Sequence, residues 1–392
     1  MKVKTHNRSD VNLSFRRRVE IGEKVLETPT KAIPAGKLYE EDQILEEARG
    51  VNEFYKQVSS ADLYQSPNDG TLHFNGLDRQ LDWSLPGEVN FTFLEYTDSE
   101  QISKIDAYQM VGVLGYASDY FTVPLQPKIL SQIDKDGELD DTWYHRLYNG
   151  TELFLRACHE SSIHKPIMGG IPPLDLPHLG DLINLYEQYD VFAFYFDFDW
   201  NLPSAPSKVD RVAYFQKRIA NQRHHDDVLL YALNARSGTF NGEIGYRPAA
   251  DFAPALMGFD VIGENHSGPS LDPEGAENVE RREDFRILKE EIIGYIDSPV
   301  DNLQKHFPNV TNVNVEDVLK KGDSYSAKRR FEKFLNAEQM ELILSELRQK
   351  LEAGNSRDFL EEKSLNPRTL NAGKEVRKEF NEGLQTELGD YT

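Results

Sequence analysis

Short apolar runs that end in polar or glycine-rich turns recur along the chain from about residue 90. Met110-Val111-Gly112-Val113-Leu114-Gly115-Tyr116 leads into Ala117-Ser118-Asp119-Tyr120, and Lys165-Pro166-Ile167-Met168 leads into Gly169-Gly170-Ile171-Pro172-Pro173. Val191–Phe196 runs into Asp197-Phe198-Asp199-Trp200-Asn201, and Val228–Leu233 into Asn234-Ala235-Arg236-Ser237-Gly238. Phe259-Asp260-Val261-Ile262-Gly263 runs into Glu264-Asn265-His266. Uninterrupted apolar runs of this length read as strands buried on both faces. Between them, 151–160, 178–189, 207–222 and 248–257 read as helices. Strands alternating with helices predict an α/β protein with a parallel sheet. The count and length predict a (β/α)8 TIM-type barrel over 21–300. No Gly-x-Gly-x-x-Gly follows a strand, so the dinucleotide-binding fold loses its main cue.

The flanks follow other patterns. Residues 1–20 read as a flexible polar arm containing Arg16-Arg17-Arg18. Val19–Leu26 reads as two strand pieces about Gly22, and the prolines in Glu27–Pro34 predict an extended segment. Ile44, Leu45, Ala48, Val51 and Phe54 give 40–60 a helical spacing. Residues 270–284 read as a polar surface loop. Beyond 300 the apolar positions from Phe331 to Leu351 predict two amphipathic helices, 326–335 and 337–352, in a helical appendage over 301–352. The charged stretch 353–392, with Gly354, Pro367 and Gly373, predicts a loosely ordered tail.

Composition adds constraints. Apolar residues are 39% of the 392 and aromatics 11%, which excludes a wholly disordered, collagen-like or coiled-coil chain. The one cysteine, Cys158, excludes an internal disulfide framework and any multi-cysteine zinc or iron–sulfur site. No apolar stretch approaches a membrane span, and Met1–Arg18 leads into no apolar core of a secretory leader, so a cytoplasmic protein with no membrane partner is expected. The net charge of −22 repels polyphosphates unless cations gather locally. Surface solubility, or a salty cytoplasm that screens the repulsion, accounts for such a charge equally well.

Active sites of (β/α)8 barrels lie at the C-terminal ends of the strands, so the polar residues closing each run are the candidates. They are Asp119, Gly169 and Gly170, Asp197 and Asp199, Asn234 and Arg236, and Asp260, Glu264 and His266. Several carboxylates suggest acid–base or carboxylate-nucleophile chemistry. Asp119 serves equally well as a turn residue or N-cap. Asp197 and Asp199 would share one strand face and bind a sugar or a metal, or merely cap a strand end. Gly169-Gly170 would let a ligand approach the backbone, or make a tight turn. His224-His225-Asp226-Asp227 reads as a solvated loop, because consecutive side chains diverge.

The order of segments resembles the tRNA-guanine transglycosylase superfamily, which includes a branch inserting 7-deazaguanine derivatives into DNA. Leu26–Pro34 is similar to the family's N-terminal strand, and Ala117-Ser118-Asp119-Tyr120-Phe121 to its Asp-Ser-Gly-Gly-Phe segment. Pro166-Ile167-Met168-Gly169-Gly170 resembles the Gln-Gly-Gly segment that contacts the base, with Met168 at the glutamine position. Pro248–Asp260 resembles the helix leading to the nucleophilic aspartate, and 326–351 the closing helices. The family's zinc-binding cysteines are absent, and Phe196-Asp197-Phe198-Asp199 replaces its Gly-Gly-Leu. The resemblance covers about residues 20–350.

That resemblance implies a transglycosylase that replaces guanine in a nucleic acid, DNA in preference to tRNA, with a 7-deazaguanine base. It implies Asp260 as nucleophile and Asp119 as the assisting acid or base. Gly169, Gly170, Asp197, Asp199, Asn234, Arg236, Glu264 and His266 are then expected to bind the substrate. No cofactor or metal is expected, and a homodimer is left open. Two other readings stay open: a metal-dependent barrel hydrolase using Asp197, Asp199, Asp260, Glu264 and His266, and a degenerate barrel that only binds a partner.

Overall fold

The computed structural model describes residues 1–40, 42–64, 76–135, 138–221, 225–266, 284–299, 302 and 325–389. Apart from Asp284, the loop expected at 270–284 lies outside them, as does His224. In chain order the strands are β1 Lys2–Arg8, β2 Phe15–Ile21, β3 Lys24–Thr28, β4 Thr30–Lys31, β5 Val51–Val58, β6 Val89–Tyr96, β7 Phe121–Thr122, β8 Asp134–Lys135, β9 Glu138–Leu139, β10 Ile167–Ile171, β11 Ala193–Asp197, β12 Leu229–Leu233, β13 Arg247–Pro248, β14 Val261–Ile262, β15 Phe285–Lys289 and β16 Gly294–Ser298. The α-helices are α1 Ser60–Tyr64, α2 Leu77–Asp82, α3 Lys104–Ala117, α4 Pro127–Ile133, α5 Asp141–Glu160, α6 Leu176–Gln188, α7 Pro206–Ala220, α8 Ala253–Leu256, α9 Tyr325–Glu352, α10 Ser356–Glu362 and α11 Pro367–Gly389.

The chain is a mixed α/β protein. Six parallel strands form one sheet in the order β4-β14-β12-β11-β10-β7. β5 and β6 pair in parallel over their whole length. Single parallel bridges join Ile33 to Asn52 and Glu95 to Leu125, so the segments just past the edge strands β4 and β7 each meet one strand of this pair. Strand alternation divides the core. Val51, Phe91, Phe93, Met168, Ala193, Tyr195, Leu229, Tyr231 and Val261 face one another in one cluster. On the opposite face, Phe194, Phe196 and Leu230 join the layer that includes Phe154, Leu182 and Phe215 of α5, α6 and α7.

The N-terminal residues are no arm. β1, β2 and β3 form an antiparallel sheet, with Gly22 at φ 61° in the β2–β3 turn. Val19, Ile21 and Leu26 from this sheet join the strand-interior cluster. The 40–60 stretch is a short 3-10 turn followed by β5, because Val51, Glu53 and Tyr55 alternate with Asn52 and Phe54 about a strand. Met110–Tyr116 is helical. Ser103 and Asp106 form a reciprocal capping box that starts α3, and local capping wins over a run with no polar punctuation.

The expected pair of C-terminal helices is the single helix α9, docked on β4. Its buried Glu341 accepts hydrogen bonds from the Thr30 hydroxyl at 2.9 Å and the Lys31 amide at 2.6 Å. The loosely ordered tail is mostly helix as well. Val376 and Phe380 of α11 are buried, and Lys217 of α7 meets Glu379 at 2.9 Å and Glu382 at 3.0 Å. Gly373 and Gly383 permit this approach, since a Cβ there would lie 2.7 Å and 2.5 Å from the backbone oxygens of Leu256 and Lys217.

Candidate active site

The inward positions of β5, β6 and β11 change from apolar to polar toward their C-terminal ends. Val51 is followed on the same face by Glu53 and Tyr55, Phe93 by Glu95, and Tyr195 by Asp197. The carboxylates therefore gather at the end where parallel α/β folds place their chemistry.

Glu53 is the hub. It is buried and accepts hydrogen bonds from the Tyr231 hydroxyl and from the Glu264 backbone N–H, the latter at 3.0 Å to Oε1 and 3.2 Å to Oε2. It also contacts Nε2 of His266. The His266 ring stacks on Tyr55 with centroids 4.4 Å apart and planes 1° from parallel. A carboxylate on one ring nitrogen and an aromatic face beneath fix the imidazole's orientation, as proton transfer requires. Burial and Glu53 together push the Tyr231 hydroxyl well above its usual range, so it remains a donor.

Asp197 lies beside this hub. Its Oδ1 accepts from the Asn234 side chain at 3.0 Å and from the Asp199 amide at 2.8 Å. Burial raises its carboxyl, and these hydrogen bonds offset only part of the rise. Asn234 Oδ1 accepts from the His266 amide at 3.1 Å, linking the ends of β11 and β12 to the residues after β14. Asp199, Trp200 and Asn234 all have left-handed backbone, at φ 48°, 56° and 56°. Non-glycine residues adopt this region at a cost, and such strain clusters at functional sites.

Cations border the same end. Lys31 pairs with Glu264 and donates to the Gly263 carbonyl at 2.9 Å, while Lys333 of α9 lies 3.4 Å from Glu264. Burial alone would raise the Glu264 carboxyl, but Lys31 and Lys333 overcome it and hold it down to about 2. Lys37 follows the end of β4 and is exposed as a residue. The covered part of its side chain and the neighbouring Lys333 charge lower its ammonium to about 8.

The structure brings together Asp197, Asn234, Glu264 and His266, with Asp199 adjoining. Arg236 is exposed nearby, its amide donating to Asn201 O at 3.1 Å. Asp260 and Asp119 are elsewhere. Asp260 immediately precedes β14 and Asp119 lies two residues before β7, so both lie at the N-terminal end of the sheet. Asp260 is 1% exposed and accepts from Arg17 at 3.0 Å, the Thr28 hydroxyl at 2.8 Å and the Leu230 amide at 2.9 Å. Asp119 accepts from Lys24 and from the Asn90 amide, both at 2.7 Å. Both carboxylates are joined to the β1–β2–β3 sheet and its turn, and the expectation that they close apolar strands at the mouth is corrected.

The glycine pair has a packing explanation. A Cβ on Gly170 would lie 2.5 Å from the Tyr195 hydroxyl, and the Gly170 amide and carbonyl are both bonded to Tyr186. Neither backbone group is open to a ligand. Sequence reasoning missed Glu53, Tyr55, Glu95, Lys31, Lys37 and Lys333. The available signal was a charged residue on the inward register of an otherwise apolar strand, as in Val51-Asn52-Glu53-Phe54-Tyr55.

Among the described residues no three His, Cys, Asp or Glu side chains are placed to hold a metal ion. The five residues of the metal-hydrolase reading are split, with Asp260 at the far end of the sheet. Among the described residues no helix is long and apolar enough to cross a membrane. Neither a protein-family model nor a curated protein matches the chain.

Proposed function

We propose that the six-stranded sheet and the β5–β6 pair are one closed (β/α)8 barrel, and that its C-terminal mouth exchanges a base at an N-glycosidic bond of a nucleic acid. The parallel bridges Ile33–Asn52 and Glu95–Leu125, at the two edges of the six-stranded sheet, support the closure. The observation that carries the chemistry is the inward register of Glu95 and Asp197 at one end, beside the Glu53–His266 pair and the Lys37–Lys333 cations. The resemblance of segment order adds the substrate class, guanine replaced by a 7-deazaguanine base. DNA is the preferred polymer, and the cytoplasm the preferred compartment.

In this reading Glu95 attacks C1′ of an extruded guanosine. The C1′–N9 bond breaks as a C1′–carboxylate ester forms. Asp197, whose carboxyl is raised by burial, is the acid that protonates the departing guanine. The incoming base then gives its N9 proton to the Asp197 carboxylate and displaces the ester oxygen, which restores the Glu95 carboxylate and the Asp197 acid. Local lysines offset the repulsion between phosphates and a chain of net charge −22. Incubation with labelled guanine and either DNA or tRNA tests the reading. Incorporation that Glu95→Gln abolishes is expected, and no incorporation into either polymer overturns it.

A further inference from the structure

A cavity of about 150 Å³ lies beside the mouth, between the residues following β12 and β14, the β15–β16 hairpin and α9. An engineered cavity of about that volume holds a six-membered aromatic ring in another protein. This one is polar. Asp251 and Asn265 line it, and each carries a buried oxygen, Oδ1 in both, without a hydrogen-bond partner. Their other polar atoms are committed: Asp251 Oδ2 accepts from the Tyr295 hydroxyl at 2.5 Å, and Asn265 Nδ2 donates to Ala235 O at 3.0 Å. Two orphaned acceptors call for N–H or O–H donors. The charges around them cancel, with Lys31, Lys333 and Arg286 against Asp251, Glu264 and Glu332. A phosphate or a metal cation therefore finds no charge surplus here, and Ala235, Ala337 and Met340 supply apolar contact for a flat ring.

We propose that this cavity binds a neutral one-ring heterocycle bearing an amino group, of the aminopyrimidine class, with its N–H groups on Asp251 and Asn265. The proposal concerns binding only and does not rest on base exchange. Burial raises the Asp251 carboxyl to about 6, with the Tyr295 hydrogen bond opposing. An N–H donor favours the ionised form, so binding strengthens as pH rises through about 6.

Titration calorimetry of the full chain with cytosine tests this. One saturable site is expected, and 4-methylpyrimidin-2-one, which replaces the amino group by methyl, should bind about tenfold more weakly. Asn265→Leu keeps the side-chain shape and removes the acceptor together with the Nδ2 bond to Ala235 O, with a loss of about tenfold expected. Asp251→Asn should remove the pH dependence. Cytidine separates the sources, since binding equal to cytosine indicates a base within a nucleotide and loss of binding indicates a free base. Absence of saturable cytosine binding at millimolar concentration means that water alone fills the cavity, and overturns the proposal. Binding unchanged in both Asn265→Leu and Asp251→Asn places the heterocycle elsewhere and overturns it equally.

Discussion

Arg17 of β2 and Asp260 at the foot of β14 form an ion pair at 3.0 Å, with side chains only 4% and 1% exposed. Asp260 also accepts from Thr28 and from the Leu230 amide, so its charge has donors on three segments. The pair ties the N-terminal sheet to the start of the parallel strands, and Arg17 stacks 4.0 Å from the Phe15 ring centroid.

Asp260→Asn should therefore act on stability. Removing one charge of a buried pair strands the other, at a cost of about 3–5 kcal/mol. The expected result is a large fall in the urea midpoint, with the folded fraction retaining whatever turnover the wild type shows. Arg17→Met combined with Asp260→Leu should recover most of the loss, because no buried charge is then left alone. A normally folded Asp260→Asn protein without turnover would return Asp260 to the chemistry.

The history of Asp260 shows what the sequence makes legible. The runs Val191–Phe196 and Val228–Leu233 became β11 and β12 because both faces of those strands are buried. The run Phe259–Gly263 was also strand, but only Val261–Ile262 pair, which moves Asp260 from one end of the sheet to the other. A run of apolar residues does not say where pairing starts. Met110–Tyr116 failed for a related reason, since a helix wrapped by core looks as uniformly apolar as a buried strand. Ser103 and Asp106, three residues apart ahead of that run, held the correcting signal. Asp197, Asn234, Glu264 and His266 were legible because Asp197 closes β11 and the others follow β12 and β14. Glu53 was not, since Ile44, Leu45, Ala48 and Val51 mimic a helical stripe before it.

Glu264 gives the protein a defined acid limb. Its carboxyl is held at about 2 in place of the ordinary 4.5. A depressed carboxylate contributes stability that is present above its unfolded value and lost as pH falls toward the folded one. Stability should therefore decline between about pH 4.5 and about pH 2. Glu264→Gln should be less stable at neutral pH, where Lys31 and Lys333 lose their counter-charge, and flatter across that window. Denaturant melts at a series of pH values check both points, and an unchanged acid limb would contradict the assignment.

The C-terminal helix is a structural part of the core. Phe380 is 2% exposed and meets Phe15 edge-on at 5.9 Å. Phe380→Ala should cost about 3–5 kcal/mol through lost burial and the cavity left behind. Truncation after residue 366 should cost more, because it also uncovers α7 and α8 where Gly383 and Gly373 approach them. Equilibrium unfolding measures both. A tail that could be removed without change in the midpoint would restore the loosely ordered reading.

Lys37 should make anion binding depend on pH near neutrality. Its ammonium is lowered to about 8 by desolvation and by Lys333, with Glu264 opposing. The charged form therefore dominates below about pH 8 and is lost above it, in a range where an ordinary lysine stays charged. Fluorescence anisotropy with a single-stranded oligonucleotide at low salt should show affinity falling between pH 7 and pH 9. Lys37→Arg should remove this fall, because a guanidinium does not titrate there. Lys37→Ala should weaken binding at pH 7 and also lower the salt slope by about one, as loss of a single phosphate contact predicts. Affinity that is flat with pH in the wild type would mean that Lys37 does not meet the polymer, and would count against the proposed nucleic-acid binding at this mouth.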